Sequence, residues 1–233
     1  MLTMQDVSKL YKHRRSPVAA LDGANVTIQK GDFVSLVGPS GSGKSTLLLM
    51  LGGMLSPTSG KVLLNGVSMY EMSSDQRAAL RKTSMGFVFQ TFNLVPYLTA
   101  LENVKLPLYL AGVKPEEQDG RAIELLERVG LGNRVDHKPS ELSIGQQQRV
   151  ALARMLANDP QVILADEPTG NLDPETASQM MDYLEQFNRE GKTIIMVTHD
   201  PRAAARARRR LRIEDGRIVD DQRQQNDPSR QVA

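Results

Sequence analysis

The sequence predicts an α/β protein with a largely parallel central sheet, and three observations support this fold class. Two short runs, 162–165 and 193–197, are apolar apart from Thr193, as strands are when helices cover both faces of a sheet. Segments with helical periodicity alternate with these runs along the chain. A glycine-rich stretch joins a third apolar run, 33–37, to an apolar helical pattern that starts near Lys44.

The starts of several helices are marked by capping signals. Ser73 with Gln76 forms the pattern of a capping box, and Thr99 with Glu102 forms another. Asp173 precedes a proline, which suits the first position of a helix. The helix after it carries five apolar residues on one face, and we predict that they are core: Ala177, Met180, Met181, Leu184 and Phe187.

The remaining pattern predicts one domain over residues 1–220. Residues 87–89 read as a further strand, and Asn65-Gly66 is a hairpin signal. Residues 91–160 carry helical patterns and little strand signal, so we predict a helical subdomain inserted between strands of the α/β core. The tail 221–233 has almost no apolar residues to bury, and we predict that it is disordered.

The composition excludes several functional classes. Lys and Arg number 29 against 27 acidic residues, so no overall basic field indicates nucleic acid, and none is expected as a partner. The absence of cysteine excludes disulfides and thiolate metal sites. The N-terminus shows no secretory signal pattern, and the longest apolar stretch falls well short of the ~20 residues that span a bilayer. These features fit a cytoplasmic protein, and we expect any membrane role to come through a partner.

The glycine-rich stretch has a specific chemical meaning. It matches the phosphate-binding pattern G-x-x-x-x-G-K-[ST] with the residues Gly38, Pro39, Ser40, Gly41, Ser42, Gly43, Lys44, Ser45 and Thr46. Its glycines let backbone N–H groups surround phosphate oxygens, and the following helix directs its positive end at the same point. We expect the Lys44 ammonium to contact the β- and γ-phosphates of ATP and the Ser45 hydroxyl to bind Mg²⁺. An ordinary glycine-rich turn would not explain the strand before the motif and the apolar helix after it.

The apolar run 162–165 ends in two carboxylates. Because successive strand residues point to opposite faces, Asp166 and Glu167 need not share a task. We expect Asp166 to bind Mg²⁺, directly or through water, and Glu167 to act as general base on the attacking water. The alternative is a merely solvated acidic junction. The phosphate-binding motif argues against it, because hydrolysis needs both a metal anchor and a group that orients water.

Two further strand ends carry candidate catalytic side chains. Gln90 follows the strand at 87–89, and its amide oxygen can bind Mg²⁺ or water. His199 follows the run 193–197 and can donate to a γ-phosphate. A single Gln or His at a strand end is as readily structural, so both interpretations stay open from these residues alone.

Residues 142–149 form a second segment that suits an anion. Ser143 with Gln146 forms a capping box, which by itself explains both residues. The Ser143 hydroxyl, the Gly145 amide and the helix N-terminus also make an anion site. Because the chain already has a complete phosphate loop, a second site suits the γ-phosphate held by another subunit. The spacing leaves both interpretations open.

These motifs, in this order, resemble the ABC transporter ATPase family over about residues 2–219. Residues 38–46 resemble its Walker A motif, and 162–167 resemble Walker B. Gln90 matches the Q-loop and His199 the H-loop switch. Residues 142–146 resemble the family signature Leu-Ser-Gly-Gly-Gln with one departure, because Ile144 replaces the first glycine.

The resemblance assigns two further nucleotide contacts. Residues 171–173 match the D-loop, which implies that Asp173 lies at the nucleotide. Tyr11 lies where the family stacks an aromatic ring on adenine, although an aromatic residue of an edge strand would also explain it.

The resemblance also implies an architecture and an assembly. It implies a P-loop NTPase core with a mixed parallel sheet, an N-terminal antiparallel β subdomain and an inserted α-helical subdomain. A head-to-tail homodimer would hold two MgATP, each between one copy's P-loop and the other copy's Ser143, Gly145 and Gln146. An integral membrane permease would turn closure and reopening into work, with this chain peripheral on the cytoplasmic face of the inner or plasma membrane.

The stretch 90–104, together with 169–173, resembles the branch that serves lipoprotein release, macrolide efflux and related exporters. In the family this stretch lies near a groove that receives a coupling helix of the membrane subunit. Four apolar residues suit such a groove or pack inside the helical subdomain: Phe92, Leu94, Tyr97 and Leu98.

An arginine run lies near the end of the chain and consists of Arg202, Arg206, Arg208, Arg209, Arg210 and Arg212. Such runs are usually solvated faces. The alternative is contact with anionic lipid headgroups, worth ~1 kcal/mol per basic residue near the surface.

Two other functions fit the sequence less well than a transport or mechanotransmission ATPase. A soluble ABC ATPase acting on ribosomes or DNA usually has two nucleotide-binding units or long coiled coils, and this sequence shows neither. A P-loop kinase or GTPase would leave residues 142–146 unexplained, and the sequence has no Asn-Lys-x-Asp guanine signal.

Overall fold

The computed structural model describes residues 1–12 and 17–223. The strands in chain order are β1 (Leu2–Tyr11), β2 (Val18–Ile28), β3 (Phe33–Val37), β4 (Ser59–Leu64), β5 (Val67–Ser68), β6 (Met85–Phe89), β7 (Val162–Asp166), β8 (Thr193–Val197), β9 (Arg209–Glu214) and β10 (Arg217–Arg223). The α-helices are α1 (Lys44–Leu51), α2 (Ser74–Ser84), α3 (Ala100–Ala111), α4 (Pro115–Arg128), α5 (Ile144–Leu156), α6 (Pro174–Arg189) and α7 (Pro201–Ala205).

The strands form two sheets, which confirm the predicted fold class. The larger sheet has the order β10-β9-β3-β8-β7-β6, and only the β9–β10 pair is antiparallel. The smaller sheet, β2-β1-β4-β5, is antiparallel and includes the N-terminal strands. Because the inner strands of the larger sheet are parallel, their carboxyl ends meet at one edge, where α/β proteins place ligands.

The apolar runs form strands that are buried on both faces. Val162 and Leu164 of β7 pack into a cluster between the two sheets and α1. Ile163 and Ala165, which point the other way, pack against a cluster that includes helices α3 to α6. Each fully buried aliphatic side chain contributes about 1.5–3 kcal/mol, so these strands hold the sheet in place from both sides.

The local sequence signals are confirmed. The capping boxes begin α2 and α3, and Asp173 caps α6. Asn65 and Gly66 both have positive φ angles and join the paired residues Leu64 and Val67. Four of the five predicted core residues of α6 are buried, while Ala177 is half-buried.

Helices α3, α4 and α5 lie between β6 and β7 in the chain and contact one another. The described residues between 91 and 160 contain no strand. None of the helices in the described ranges is long and apolar enough to cross a membrane.

The start of the predicted disordered tail was wrong. Residues 221–223 belong to β10, and the Arg209 guanidinium donates to both carboxylate oxygens of Asp221, at 2.7 and 2.6 Å. These bonds hold the pKa of Asp221 below its ordinary value, so the pair stabilises the fold above that ordinary pKa and loses this contribution as the pH falls. The rest of the predicted tail, 224–233, lies outside the described residues.

The arginine run is largely engaged within the chain. Arg206 forms ion pairs with Asp182 and Glu185 of α6. Arg209 is only 8% exposed, and besides Asp221 it donates to the carbonyl of Thr27 at 2.7 Å and to Asp32 at 3.2 Å. Both interpretations of the run, a solvated face and a lipid-binding surface, are therefore wrong for Arg209.

Replacing Arg209 with methionine is expected to lower the free energy of unfolding by about 3 kcal/mol, because it leaves the largely buried Asp32 without its nearer partner. Urea unfolding followed by circular dichroism measures the loss. Arg212→Met is the matched control, since the Arg212 side chain is 57% exposed and, within residues 1–12 and 17–223, pairs only with Glu214 on the surface. It should cost less than about 1 kcal/mol. Equal losses in the two variants would contradict the role assigned to Arg209.

Candidate nucleotide-binding site

The loop between β3 and α1 has room only for glycine at two positions. Gly38 has a φ angle of 153°, and a Cβ atom there would lie 2.0 Å from the carbonyl oxygen of Ile213. Gly43 has a φ angle of 103°, and its Cβ would lie 2.1 Å from the carbonyl oxygen of Ala20. These approaches fix the loop against β9 and β2, directly before the N-terminus of α1, where no side chain caps the helix.

The polar groups of this loop suit a bound anion. The Lys44 ammonium lies over the loop and donates to the carbonyl oxygens of Gly38 and Pro39, at 3.0 and 2.7 Å. Among the described residues, the buried Ser42 hydroxyl has no hydrogen-bond partner. A cation and the N–H groups of a helix start therefore lie together where phosphate oxygens would bind.

The end of β7 supplies oxygen ligands for a divalent cation. The Ser45 hydroxyl, in the first turn of α1, donates to Asp166 Oδ1 at 3.2 Å. Burial raises the pKa of the Asp166 carboxyl above its ordinary value, and the hydrogen bond from Ser45 opposes that shift. A divalent cation would favour the ionised form, so this hydroxyl–carboxylate pair fits Mg²⁺ that is also bound to substrate phosphates.

The next residue, Glu167, is paired with the histidine at the end of β8. One oxygen of its carboxylate, Oε2, lies 2.9 Å from His199 Nδ1 and accepts from the His199 backbone N–H at 3.3 Å. The Glu167 side chain is 19% exposed and that of His199 is 72% exposed. The His199 side chain is therefore mostly exposed to solvent and contacts the less exposed Glu167 carboxylate through Nδ1.

The backbone of Glu167 is strained. Its φ angle is 49°, in the left-handed region that costs a non-glycine residue about 1–2 kcal/mol. Hydrogen bonds on both sides keep it there, because its N–H donates to Val197 O at 3.0 Å and its carbonyl accepts from Gly170 N at 3.1 Å. Such strain is typical of functional sites. No sequence pattern predicted it.

Gln90 lies at the end of β6, next to β7 in the sheet, and its side chain bonds to Asn171. Its Nε2 atom donates to Asn171 Oδ1 at 3.2 Å, and Asn171 Nδ2 donates to the Gln90 carbonyl at 3.4 Å. From the sequence, Asn171 was only part of the D-loop match and had no role of its own. The structure shows that it joins the segment after Glu167 to the end of β6.

The segment 142–146 is held by its own capping box. Ser143 Oγ accepts from Gln146 N at 3.3 Å, and Gln146 Oε1 accepts from Ser143 N at 2.9 Å. Gly145 faces Thr176 so closely that a Cβ would lie 3.0 Å from Thr176 Cγ2, whereas Ile144 is 59% exposed. No hydrogen bond among the described residues joins this segment to the loop 38–46.

Two more predicted contacts lie at the protein surface. Asp173 caps α6 and accepts from the hydroxyl and backbone N–H of Thr176, which hold the pKa of Asp173 below its ordinary value. Tyr11 ends β1 with 43% of its surface exposed. Its ring lies 5.4 Å from the Lys9 ammonium, and residues 13–16 that follow lie outside the described residues.

The glycine-rich loop with its lysine and the two carboxylates after the apolar run of β7 therefore share one edge of the sheet, and this combination defines the chain as a P-loop nucleoside triphosphatase. A sequence profile of the ABC transporter family matches residues 21–170. The chain belongs to the ABC transporter family.

Comparisons with relatives agree with this assignment. The chain is 46% identical to the lipoprotein-releasing system ATP-binding protein LolD of Legionella pneumophila, over 94% of its own length and 96% of that protein. It is 47% identical to the macrolide export ATP-binding/permease protein MacB of Hyphomonas neptunium over 95% of its length, but spans only 34% of MacB. The dimeric post-hydrolysis structure of the cassette MJ0796 of Methanocaldococcus jannaschii, bound to ADP and Pi, superposes with a TM-score of 0.88 at 42% identity, covering 96% of this chain and 98% of that one.

Proposed function

We propose that this chain is the ATP-hydrolysing subunit of an ABC transporter, which closes head to tail with a second copy on two MgATP and drives a membrane permease. The observation that carries this proposal is the Ser45–Asp166 hydrogen bond, because it joins the phosphate-binding loop to the strand that directly precedes Glu167. The purified chain should hydrolyse ATP only when Mg²⁺ is present. Binding of GTP in place of ATP would contradict the proposal.

Each group at the sheet edge has a task in hydrolysis. The N–H groups of residues 38–46 bind the phosphates, and Lys44 exchanges its two carbonyl partners for phosphate oxygens. Ser45, Asp166 and Gln90 would hold Mg²⁺, which supplies charge neutralisation for the phosphates when it is bound. Glu167 accepts the proton of the attacking water.

His199 keeps the catalytic carboxylate in place and offers a further contact. Its backbone N–H and Nδ1 both face Glu167 Oε2, which leaves the other carboxylate oxygen for water. With 72% of its side chain exposed, its second ring nitrogen can reach a γ-phosphate bound on the loop.

A second copy would complete the site. Ser143, Gly145 and Gln146 form an anion-binding helix start that makes no hydrogen bond to the chain's own phosphate loop among the described residues. We assign it to the γ-phosphate held by the partner copy. Asp173 would lie at the same interface, and Tyr11 would stack on the adenine.

An apolar groove suits the permease. It has a volume of about 690 Å³ and lies between β6 and helices α2, α3 and α5, with Ala79, Phe87, Pro107, Leu110 and Met155 among its lining residues. Leu110 is 65% exposed and the adjacent Tyr109 is 71% exposed, which is unusual for large apolar residues unless they meet a partner. An amphipathic helix of a membrane subunit fits such a groove.

The stretch after Gln90 contains one largely exposed aromatic residue. Tyr97 is 81% exposed, while Phe92 and Leu98 are half-buried and Leu94 packs against the core. The names of the relatives, macrolide export and lipoprotein release, favour an exporter or mechanotransmission system. A permease partner would place the chain on the cytoplasmic face of the membrane.

Leu110→Asp is expected to reduce permease recovery at least ~tenfold, because it replaces an apolar contact of the docked helix with a carboxylate that must be desolvated. The measurement is a mild-detergent pull-down of the tagged chain from its own host's membranes, with bound proteins quantified by mass spectrometry. Val67→Asp is the control, because Val67 is 54% exposed on β5 and outside the groove. Undiminished recovery with Leu110→Asp would exclude the groove, and ribosomal or DNA-bound partners alone would favour a soluble ABC ATPase.

A further inference from the structure

A buried glutamine connects helix α5 to the turn that carries the catalytic carboxylate. Gln148 is 2% exposed, and its Nε2 atom donates to the carbonyl oxygen of Pro168 at 3.0 Å. Pro168 is itself buried and directly follows Glu167. The nearby Gln147 donates instead to carbonyls that precede Ser143, so the link to the catalytic turn belongs to Gln148.

The bonded carbonyl controls the shape of that turn. Gly170 N donates to Glu167 O at 3.1 Å, so residues 167–170 form a four-residue turn with Pro168 in its second position. The peptide plane after the second residue is the one whose orientation differs between the two commonest turn types. Gln148 is the only donor to that carbonyl among the described residues, and it therefore fixes this plane.

The Gln148–Pro168 hydrogen bond matters for Glu167 because the backbone of Glu167 is strained. A residue with a left-handed φ angle keeps that conformation only when its surroundings determine it. On the upstream side Glu167 is held by Val197, and on the downstream side by its bond to Gly170. If the peptide after Pro168 were free to rotate, the downstream hold would weaken and the carboxylate would move relative to His199.

We propose that Gln148 is a positioning residue that aligns Glu167 with the water that attacks the γ-phosphate. The proposal rests on the function proposed above, in which Glu167 accepts the proton of the attacking water. Helix α5 begins directly after Ser143, the residue assigned to the partner's ATP. The Gln148–Pro168 bond thus links the helix that meets one ATP to the carboxylate that acts on the other.

The test is Gln148→Met in the full chain, because methionine has nearly the same shape and no donor. We expect kcat for ATP to fall about 10²-fold, the scale of a ~1 Å misplacement, with KM for ATP unchanged. Gln118→Met is the matched control. Gln118 is 6% exposed on α4 and also donates to one backbone carbonyl, that of Val113, at 2.7 Å, away from the catalytic turn. Gln148→Leu, which also lacks the donor, should show the same split between kcat and KM.

A second measurement separates alignment of Glu167 from support of the 142–146 segment. Glu167→Gln with Gln148→Met should still form the MgATP dimer, seen by sedimentation velocity, as we expect of Glu167→Gln alone. Loss of that dimer would show that Gln148 acts through the 142–146 segment and would overturn the proposal. Equal kcat in Gln148→Met and Gln118→Met would also overturn it. A wild-type chain without MgATP hydrolysis would instead refute the proposed function on which the inference rests.

Discussion

Glu167→Gln should slow ATP hydrolysis by about 10²–10⁴-fold, the usual contribution of a general base, while ATP still binds. The amide has the same size as the carboxylate, and its oxygen can still accept the N–H of His199. It cannot accept the proton of the attacking water. Because binding closes the pair and hydrolysis reopens it, MgATP should trap the variant as a dimer.

Phosphate release and sedimentation velocity with and without MgATP measure the two halves of this prediction. Glu71→Gln is the control, since Glu71 is 65% exposed and pairs with Lys61 on the surface. It should turn over like the wild type and show no trapped dimer. A Glu167→Gln chain that stays monomeric at high protein concentration with MgATP would remove the main support for a closed pair.

Much of the site could be predicted because its signals are local. The pattern at residues 38–46 specifies a loop that only glycine can form at two points, and the structure shows those points pressed against Ile213 and Ala20. The sequence placed Gln90, Asp166 and His199 at the ends of three strands, and because those strands are parallel the structure brings the three residues to one edge of the sheet. A capping box is specified within four consecutive residues, and each predicted box forms.

The features that the sequence did not reveal depend on tertiary contacts. Nothing local marks Glu167 as left-handed, because its φ angle is set by bonds to Val197 and Gly170. In the sequence Arg209 is one member of a surface-like run. In the structure it is buried and forms ion pairs with Asp32 and Asp221, which are far from each other in the chain. The same contact with Asp221 explains why the predicted tail started too early.

The nucleotide contacts that we propose for the 142–146 segment need a second copy of the chain. Ile144, where the family signature has glycine, is 59% exposed in the single chain and replaces no contact there. The capping box formed by Ser143 and Gln146 forms without it. Its effect therefore belongs to the closed pair, and the trapped dimer of Glu167→Gln is the state in which to measure it.

Lys44→Ala should remove ATP binding itself. A hydrogen bond to a charged group contributes about 1.5–3 kcal/mol, so loss of two phosphate contacts costs at least ~3 kcal/mol, or about a hundredfold in affinity. The fold should be little affected, because the present partners of the ammonium are the carbonyls of Gly38 and Pro39 at the protein surface.

Equilibrium binding of a fluorescent ATP analogue tests this loss of affinity. Lys61→Ala serves as the control, because the Lys61 side chain is 59% exposed and is not part of the proposed nucleotide site. Combined with Glu167→Gln, the Lys44→Ala change should also abolish the MgATP dimer, since no nucleotide would remain to join the two copies. Retained affinity would mean that Lys44 only braces its own loop through the two carbonyls. The Lys44→Ala variant therefore loses ATP binding, which depends on the start of α1. The Glu167→Gln variant keeps ATP bound but hydrolyses it slowly, because hydrolysis depends on the carboxylate that follows β7.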